Sequence, residues 1–278
     1  MAIPAMIGAD PVTSRQATQT QPADPQPAVW AMLVGGVNKD VEEKQAKDRA
    51  VLRLRKTLVE EAVEPSRLHV LVNKDSLVRD GTGLSTAEQI RKTFAELKTA
   101  VRSRDVFVFY YVGQANVLPD GTLRLNLSGP DLLGDELVKL IGELPAERMV
   151  IVVDCPAAGT LVKGLTAKGR VVICGARLDQ HYSTRFSDCF VPALSDAKSD
   201  VNGDGRITLL EAFREAAMRL DKIYEDREML KTETPILEDD ADGVPSQQPW
   251  LYQEAKKDGA LADSLTLREL LIEKGGGQ

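Results

Sequence analysis

Residues 149–159 read Met-Val-Ile-Val-Val-Asp-Cys-Pro-Ala-Ala-Gly, an unbroken apolar run followed by an acid and a kinked turn of small residues. A β-branched run of that kind has no polar face, so it fits a parallel strand covered on both sides. In such sheets ligands and reacting groups gather just beyond the carboxyl ends of the strands. Asp154, Cys155 and Pro156 fall at that position.

Outward from this strand, the same alternation fills the chain from Val29 onward. Val29–Val34 is apolar and ends in Gly35-Gly36, a strand followed by a tight turn. Asp40 to about Ala62 is helical, with Val51, Leu54, Leu58 and Val59 on one face. Leu68–Val72 is a short strand, and Ser85–Val101 a helix capped by Ser85 or Thr86 with Glu88 following. Asp105–Val112 is a strand, Asp131–Ile141 a helix and Arg170–Cys174 a strand, with helices starting at Thr184 and Thr208. This β-α-β-α order argues for an α/β fold with a doubly wound, mostly parallel sheet flanked by helices. Right-handed crossovers then put the ends of the strands beginning at Val29, Asp105 and Met149 along one rim. After Glu225 the order weakens, with an acidic loop at residues 238–243 and a short terminal helix over Leu265–Ile272.

The domain division follows: residues 1–28 a Pro/Gln-rich disordered tether, 29–258 the α/β domain, and 259–278 a tail. The first residues lack the basic and long apolar regions of a signal peptide. The protein is expected to be cytoplasmic as written, or exported if the true start lies upstream. A net charge of −7 offers no electrostatic footprint for nucleic acid. No apolar run approaches the roughly 20 residues of a membrane span. Cys155, Cys174 and Cys189 have no metal-ligand spacing and no disulfide framework.

Taken together, the rim segments resemble the caspase-like cysteine peptidases, the group of caspases, metacaspases and legumains. The likeness is carried by Trp30-Ala-Met-Leu-Val-Gly-Gly36, Val112-Gly-Gln114-Ala115, Leu127-Ser-Gly-Pro-Asp-Leu-Leu-Gly-Asp-Glu-Leu137, Asp154-Cys-Pro156-Ala-Ala-Gly159 and Val171-Val-Ile-Cys-Gly-Ala-Arg177. In that group one strand closes with a Ser/Asp-Gly-His-Gly type motif and the next with Asp-Ala-Cys-x-Ser-Gly, which delivers the nucleophile. By this resemblance Gln114 occupies the histidine position and Pro156 the nucleophile position. Glutamine does not titrate, so it cannot shuttle a proton. Proline brings neither a thiol nor a backbone N–H for an oxyanion. Cys155 lies one residue early, and period two turns it to the opposite face. The resemblance therefore implies a catalytically degenerate homologue that binds a peptide or protein partner near Gly36, Gln114 and Pro156. The alternative is an active cysteine endopeptidase in which a bulge re-aims Cys155 and the loop carrying His181 supplies the base. His69 reads as a half-buried structural residue. A nucleotide-binding α/β protein draws only on Gly35-Gly36, with no Gly-x-Gly-x-x-Gly or Walker sequence behind it.

The most specific motif is Asp200-Val-Asn202-Gly-Asp204-Gly205-Arg206-Ile207-Thr208-Leu-Leu-Glu211. Asp200, Asn202 and Asp204 bring oxygen ligands at EF-hand loop positions 1, 3 and 5, and Arg206 a backbone carbonyl at position 7. Thr208 acts directly or through water, and Glu211 supplies two oxygens from the exiting helix. Calcium is the expected ion, in a structural rather than a sensor site. A similar Asp-rich loop enters the last long helix in many bacterial caspase-like proteins. Residues 238–243 form a weaker second candidate without a distal Glu at the right spacing.

Overall fold

The computed structural model describes residues 26–38, 40–78, 81–251 and 257–267. Strands are β1 (Val29–Gly35), β2 (Leu68–Val72), β3 (Thr82–Leu84), β4 (Val106–Val112), β5 (Ala115–Val117), β6 (Leu123–Leu125), β7 (Leu132–Leu133), β8 (Arg148–Asp154), β9 (Arg170–Cys174) and β10 (Ile236–Glu238). Helices are α1 (Val41–Glu61), α2 (Ala87–Ala100), α3 (Gly134–Gly142), α4 (Val162–Leu165), α5 (Phe186–Ala193), α6 (Leu209–Asp226) and α7 (Ala260–Asp263).

The central sheet has the order β10-β9-β8-β4-β1-β2-β3, parallel throughout except that β10 runs antiparallel to β9. Strands β5, β6 and β7 make a small antiparallel sheet of their own. The central strand β8 shows why its sequence is continuously apolar. Val150 and Val152 join the core built with Leu54 and Leu58 of α1, Phe190 of α5 and Phe213 of α6. Met149, Ile151 and Val153 join the opposite core, with Ile90 and Phe94 of α2 and Leu137 and Ile141 of α3. Both faces are thus covered by helices, as a parallel sheet requires. Truncating the fully buried Ile151 to Ala would cost about 2–5 kcal/mol. This is the α/β, mostly parallel arrangement flanked by helices that the caspase-like resemblance implies.

Several local expectations shift for identifiable reasons. Asp40 caps α1 by accepting from the Glu42 and Glu43 amides at 2.9 and 3.0 Å. Val51, Leu54 and Leu58 are buried, but Val59 is 41% exposed, one residue and some 100° beyond the buried stripe. Thr86, not Ser85, caps α2; the Ser85 hydroxyl instead donates to the Gly35 carbonyl at 2.7 Å. Helix α3 starts at Gly134 because Leu132–Leu133 is drawn into β7. Helix α5 starts at Phe186, since the Thr184 carbonyl and hydroxyl accept from Lys47. Strand β10 lies in the region expected to lose order.

At the C-terminal side the helix is Ala260–Asp263, earlier than the expected Leu265–Ile272. Leu265 accepts from the Leu209 amide and Thr266 bridges Thr208, which draws both out of a helix; 268–272 lie outside the described residues. Most of the expected tether, residues 1–25, also lies outside them. Ala28 is held at the amino end of β1, its amide donating to Asp105 at 2.9 Å. Among the described residues no helix is long and apolar enough to cross a membrane.

Candidate functional site

Strands β1, β4 and β8 are adjacent and in register, so their carboxyl ends form one rim. The Gly36 amide donates to the Val112 carbonyl at 2.8 Å and the Gly113 amide to the Asp154 carbonyl at 3.1 Å. A Cβ on Gly36 would lie 2.8 Å from the Asn126 carbonyl oxygen and closer still to the Tyr111 hydroxyl. A Cβ on Gly113 would lie 2.6 Å from the Gly36 Cα. Glycine is required at both, since the two chain ends pass in backbone contact.

Gln114 follows at once. Its backbone is fixed by the Val37 carbonyl, the Asn126 amide and the Tyr111 hydroxyl, which donates to the Gln114 carbonyl at 2.8 Å. Its side-chain amide donates to the Ser183 hydroxyl at 3.4 Å, and Ser183 donates to Glu43 at 2.7 Å. Gln114, His181, Tyr182, Ser183, Met229 and Leu230 are among the residues lining an open cavity of about 430 Å³. His181 is exposed, as are Tyr182 and Leu230.

Cys155 continues the face of Met149, Ile151 and Val153 into the core with α2 and α3, and none of it is exposed. Burial pushes its thiol well above the ordinary range, and the neighbouring charge of Asp154 adds to this. No hydrogen bond joins Cys155 to His181. Cys174 and Cys189 are also buried free thiols; burial pushes Cys189 up to about 12.

Pro156 is buried, and Ala157 after it takes a left-handed backbone conformation with φ 53°. The loop after β9 lies over this turn. The Ala157 amide donates to the Gln180 carbonyl at 2.7 Å and the Gly159 amide to the Ala176 carbonyl at 2.9 Å. The Gln180 side chain in turn accepts from the Arg177 amide at 3.0 Å and the Thr234 amide at 2.8 Å. Backbone amides of the turn are therefore already engaged.

Asp154 faces the other way, toward α1 and α5. One carboxylate oxygen accepts from the Ser187 amide at 2.8 Å; the other is buried without a partner. It lines a second cavity of about 430 Å³ together with Lys47, Asp188 and the acidic start of α1. Lys47, Glu43, Ser183, Asp188 and Glu233 are among the polar residues of this region that the sequence reading missed. One signal was present: Lys47 falls on the same stripe as Val51, Leu54 and Leu58, where an apolar residue is expected. Glu233, fully buried, accepts from the Arg185 and Phe186 amides and the Tyr224 hydroxyl. Burial, with help from the Asp154 charge, raises its carboxyl to about 7.

The loop from Asp200 to Glu211 turns on Gly203 and Gly205, both with positive φ (74° and 80°). Asp200 accepts from the Gly203 and Gly205 amides at 2.7 and 2.9 Å, Asn202 from Asp204 at 2.8 Å, and Asp204 from Arg206 at 2.9 Å. Ile207 packs against the core. Glu211 joins a capping box with Thr208 and also accepts from the Val201 and Asn202 amides at the start of the loop. Elsewhere, Glu238, Asp240 and Asp258 have carboxylate oxygens within 4.8 Å of one another, the one such acidic group among the described residues. Asp258 reaches this group because its carboxylate accepts from the Asp239 amide at 2.9 Å. Burial raises the Asp258 carboxyl to about 6. His69 is half-buried on β2, where burial lowers its imidazole pKa.

No family model matches this sequence, and no curated protein is similar to it. Solved structures similar to the chain include protein GSU0716 from Geobacter sulfurreducens, with TM-score 0.50 and 15% identity over 76% of this chain and 93% of that one. Caspase-1 from Spodoptera frugiperda is similar with TM-score 0.44 and 11% identity, over 77% of this chain and 87% of that one. At these identities the likeness concerns the fold.

Proposed function

We propose that the protein is a catalytically degenerate caspase-like module that binds a peptide or protein segment at the sheet rim and carries a calcium-binding loop. The observation behind it is the pairing of Gln114 with Ser183 beside a buried Pro156. A cysteine peptidase needs a thiolate and a base that moves a proton to the leaving amine. Gln114 moves no proton, Pro156 has no thiol, and the Cys155 sulfur faces the opposite core. The Ala157 amide, a candidate oxyanion donor, is bonded to the Gln180 carbonyl. What remains is a cleft with exposed apolar groups, Tyr182 and Leu230, beside the hydrogen-bonding Gln114 and Ser183. Such a mixture suits recognition of an extended segment rather than its hydrolysis.

The calcium part rests on the donor set. Asp200, Asn202, Asp204, the Arg206 carbonyl and Glu211 are hard oxygen donors at EF-hand spacing, with Thr208 at the position often served through water. Bound there, calcium would tie the loop to the start of α6. The partner-binding reading is tested by panning a library of extended peptides against the calcium-loaded protein, then repeating with Gln114→Ala and Tyr182→Ala. Selective retention weakened by either substitution supports it; the absence of any retained sequence overturns it.

A further inference from the structure

One carboxylate from outside the Asp200–Glu211 loop reaches it. Residues 258–267 come back across the start of α6 and bond to it at two successive positions. The Leu209 amide donates to the Leu265 carbonyl at 2.8 Å, and Thr208 makes an isolated antiparallel bridge with Thr266. Thr208 and Thr266 are both buried, and Ala262 and Leu267 join the core that α6 covers. The start of the segment is fixed too, because the Asp239 carboxylate accepts from the Gly259 and Ala262 amides, each at 2.7 Å. Gly205, Arg206 and Ile207 of the loop share with Thr266 and Leu267 the wall of a cavity of about 270 Å³. Held this way, α7 brings the exposed Asp263 to the loop, with one carboxylate oxygen 3.3 Å from the Thr208 hydroxyl. That hydroxyl also lies 3.2 Å from a Glu211 oxygen. It carries one proton, so it donates to only one of the two carboxylates at a time.

Thr208 stands at the ninth loop position, which serves a bound ion directly or through water. A hydroxyl that donates to Glu211 competes with the ion for that carboxylate. One that donates to Asp263 leaves both Glu211 oxygens, and its own lone pairs, to the ion. We infer that Asp263 is a positioning residue of the calcium loop: it accepts the Thr208 hydroxyl and adds its charge to those of Asp200, Asp204 and Glu211. Affinity in such loops follows the number of charged groups and the rigidity of the frame, and the returning segment supplies both. The inference rests on the calcium reading of the loop and adds to it a residue that the loop pattern does not contain.

The test is calorimetric titration with calcium, beside melting curves in chelator. The proteins are wild type, Asp263→Asn, Asp263→Ala, Asp263→Glu, Glu211→Gln and Asp226→Asn, the last removing the same charge at the other end of α6. Asp263 is exposed, so its variants should melt within about 2 °C of wild type in chelator. Asp263→Asn, which keeps an acceptor but loses the charge, should bind calcium about three-fold more weakly, and Asp263→Ala about ten-fold. Asp263→Glu should lie closer to wild type than to the alanine variant, and Asp226→Asn should match wild type. No calcium binding by wild type, or binding that Glu211→Gln leaves unchanged, would overturn the loop reading and this inference with it. Binding that Glu211→Gln weakens and Asp263→Ala does not would overturn the inference alone, as would an equal loss in Asp226→Asn.

Discussion

Glu211→Gln should destabilise the protein even in chelator, before calcium enters the question. Glu211 is 7% exposed, and one of its oxygens accepts from the Val201 and Asn202 amides at 3.1 and 3.3 Å. The other accepts from the Thr208 amide at 3.0 Å and lies 3.2 Å from its hydroxyl. Glutamine keeps one acceptor oxygen but turns an NH₂ group toward the donors on the other side. Leaving a buried donor unsatisfied costs about 1–3 kcal/mol, and losing the charge weakens the remaining bonds. The sum is about 2–4 kcal/mol, and at roughly 2–4 °C per kcal/mol for a chain of this size the melting temperature should fall by about 4–16 °C. Melting curves of both proteins in chelator read this directly. The same curves with added calcium read the metal separately, because ligand binding stabilises by RT ln(1 + [L]/Kd). Wild type should gain with calcium and not comparably with magnesium, and the variant should gain less. An unchanged melting temperature in chelator would refute the hydrogen-bond argument. A wild type with no calcium-dependent shift and no heat of binding would refute the metal reading.

Acid stability should depend on Asp105, which is 1% exposed and accepts from the Ala28 amide, the Trp30 indole and the Arg102 guanidinium. Burial works against its charge, but Arg102 and the backbone amides prevail and hold the carboxyl at about 2, against an ordinary 3.8. A depressed carboxyl stabilises above its unfolded value, so up to about 2 kcal/mol should be lost as pH falls from 4 through 2, less whatever solvent screens at Arg102. Urea unfolding at pH 5, 3.5 and 2.5 should show that slope in wild type and a shallower one in Asp105→Asn. Cys155 should resist alkylation at neutral pH relative to a free cysteine, as a buried thiol does. Rapid labelling slowed by His181→Ala would contradict this. Gly36→Ala should cost about 3 kcal/mol or more, because its methyl would collide with Tyr111 and the Asn126 carbonyl; a near-wild-type denaturation midpoint would contradict that.

The central sheet was legible because its strands carry their own message. Met149–Val153 can satisfy two helical layers only as an interior parallel strand, and the turns at Gly35-Gly36 and Gly113 mark where such strands end. The helix starts at Asp40 and Thr208 and the choice of Ser85 or Thr86 as a cap were readable for the same reason: the signal is local. Strands of two or three residues, such as β7 and β10, were not, since pairing with a neighbour rather than their own pattern makes them strands. The polar region around Asp154 was hidden more deeply. Lys47, Asp154, Asp188 and Glu233 are scattered along the chain, and only the crossovers of a doubly wound sheet bring them together. Asp258 joins Glu238 and Asp240 likewise through the return of the chain, not through spacing.

The account turns on whether the rim has lost its chemistry. The direct measurement is hydrolysis of a mixed fluorogenic peptide library, with basic, Asn and Asp residues before the scissile bond, by the protein with calcium added. Wild type, Cys155→Ala and Cys174→Ala should all match the buffer rate. Turnover by wild type that Cys155→Ala abolishes and Cys174→Ala retains would contradict the account and establish Cys155 as a nucleophile.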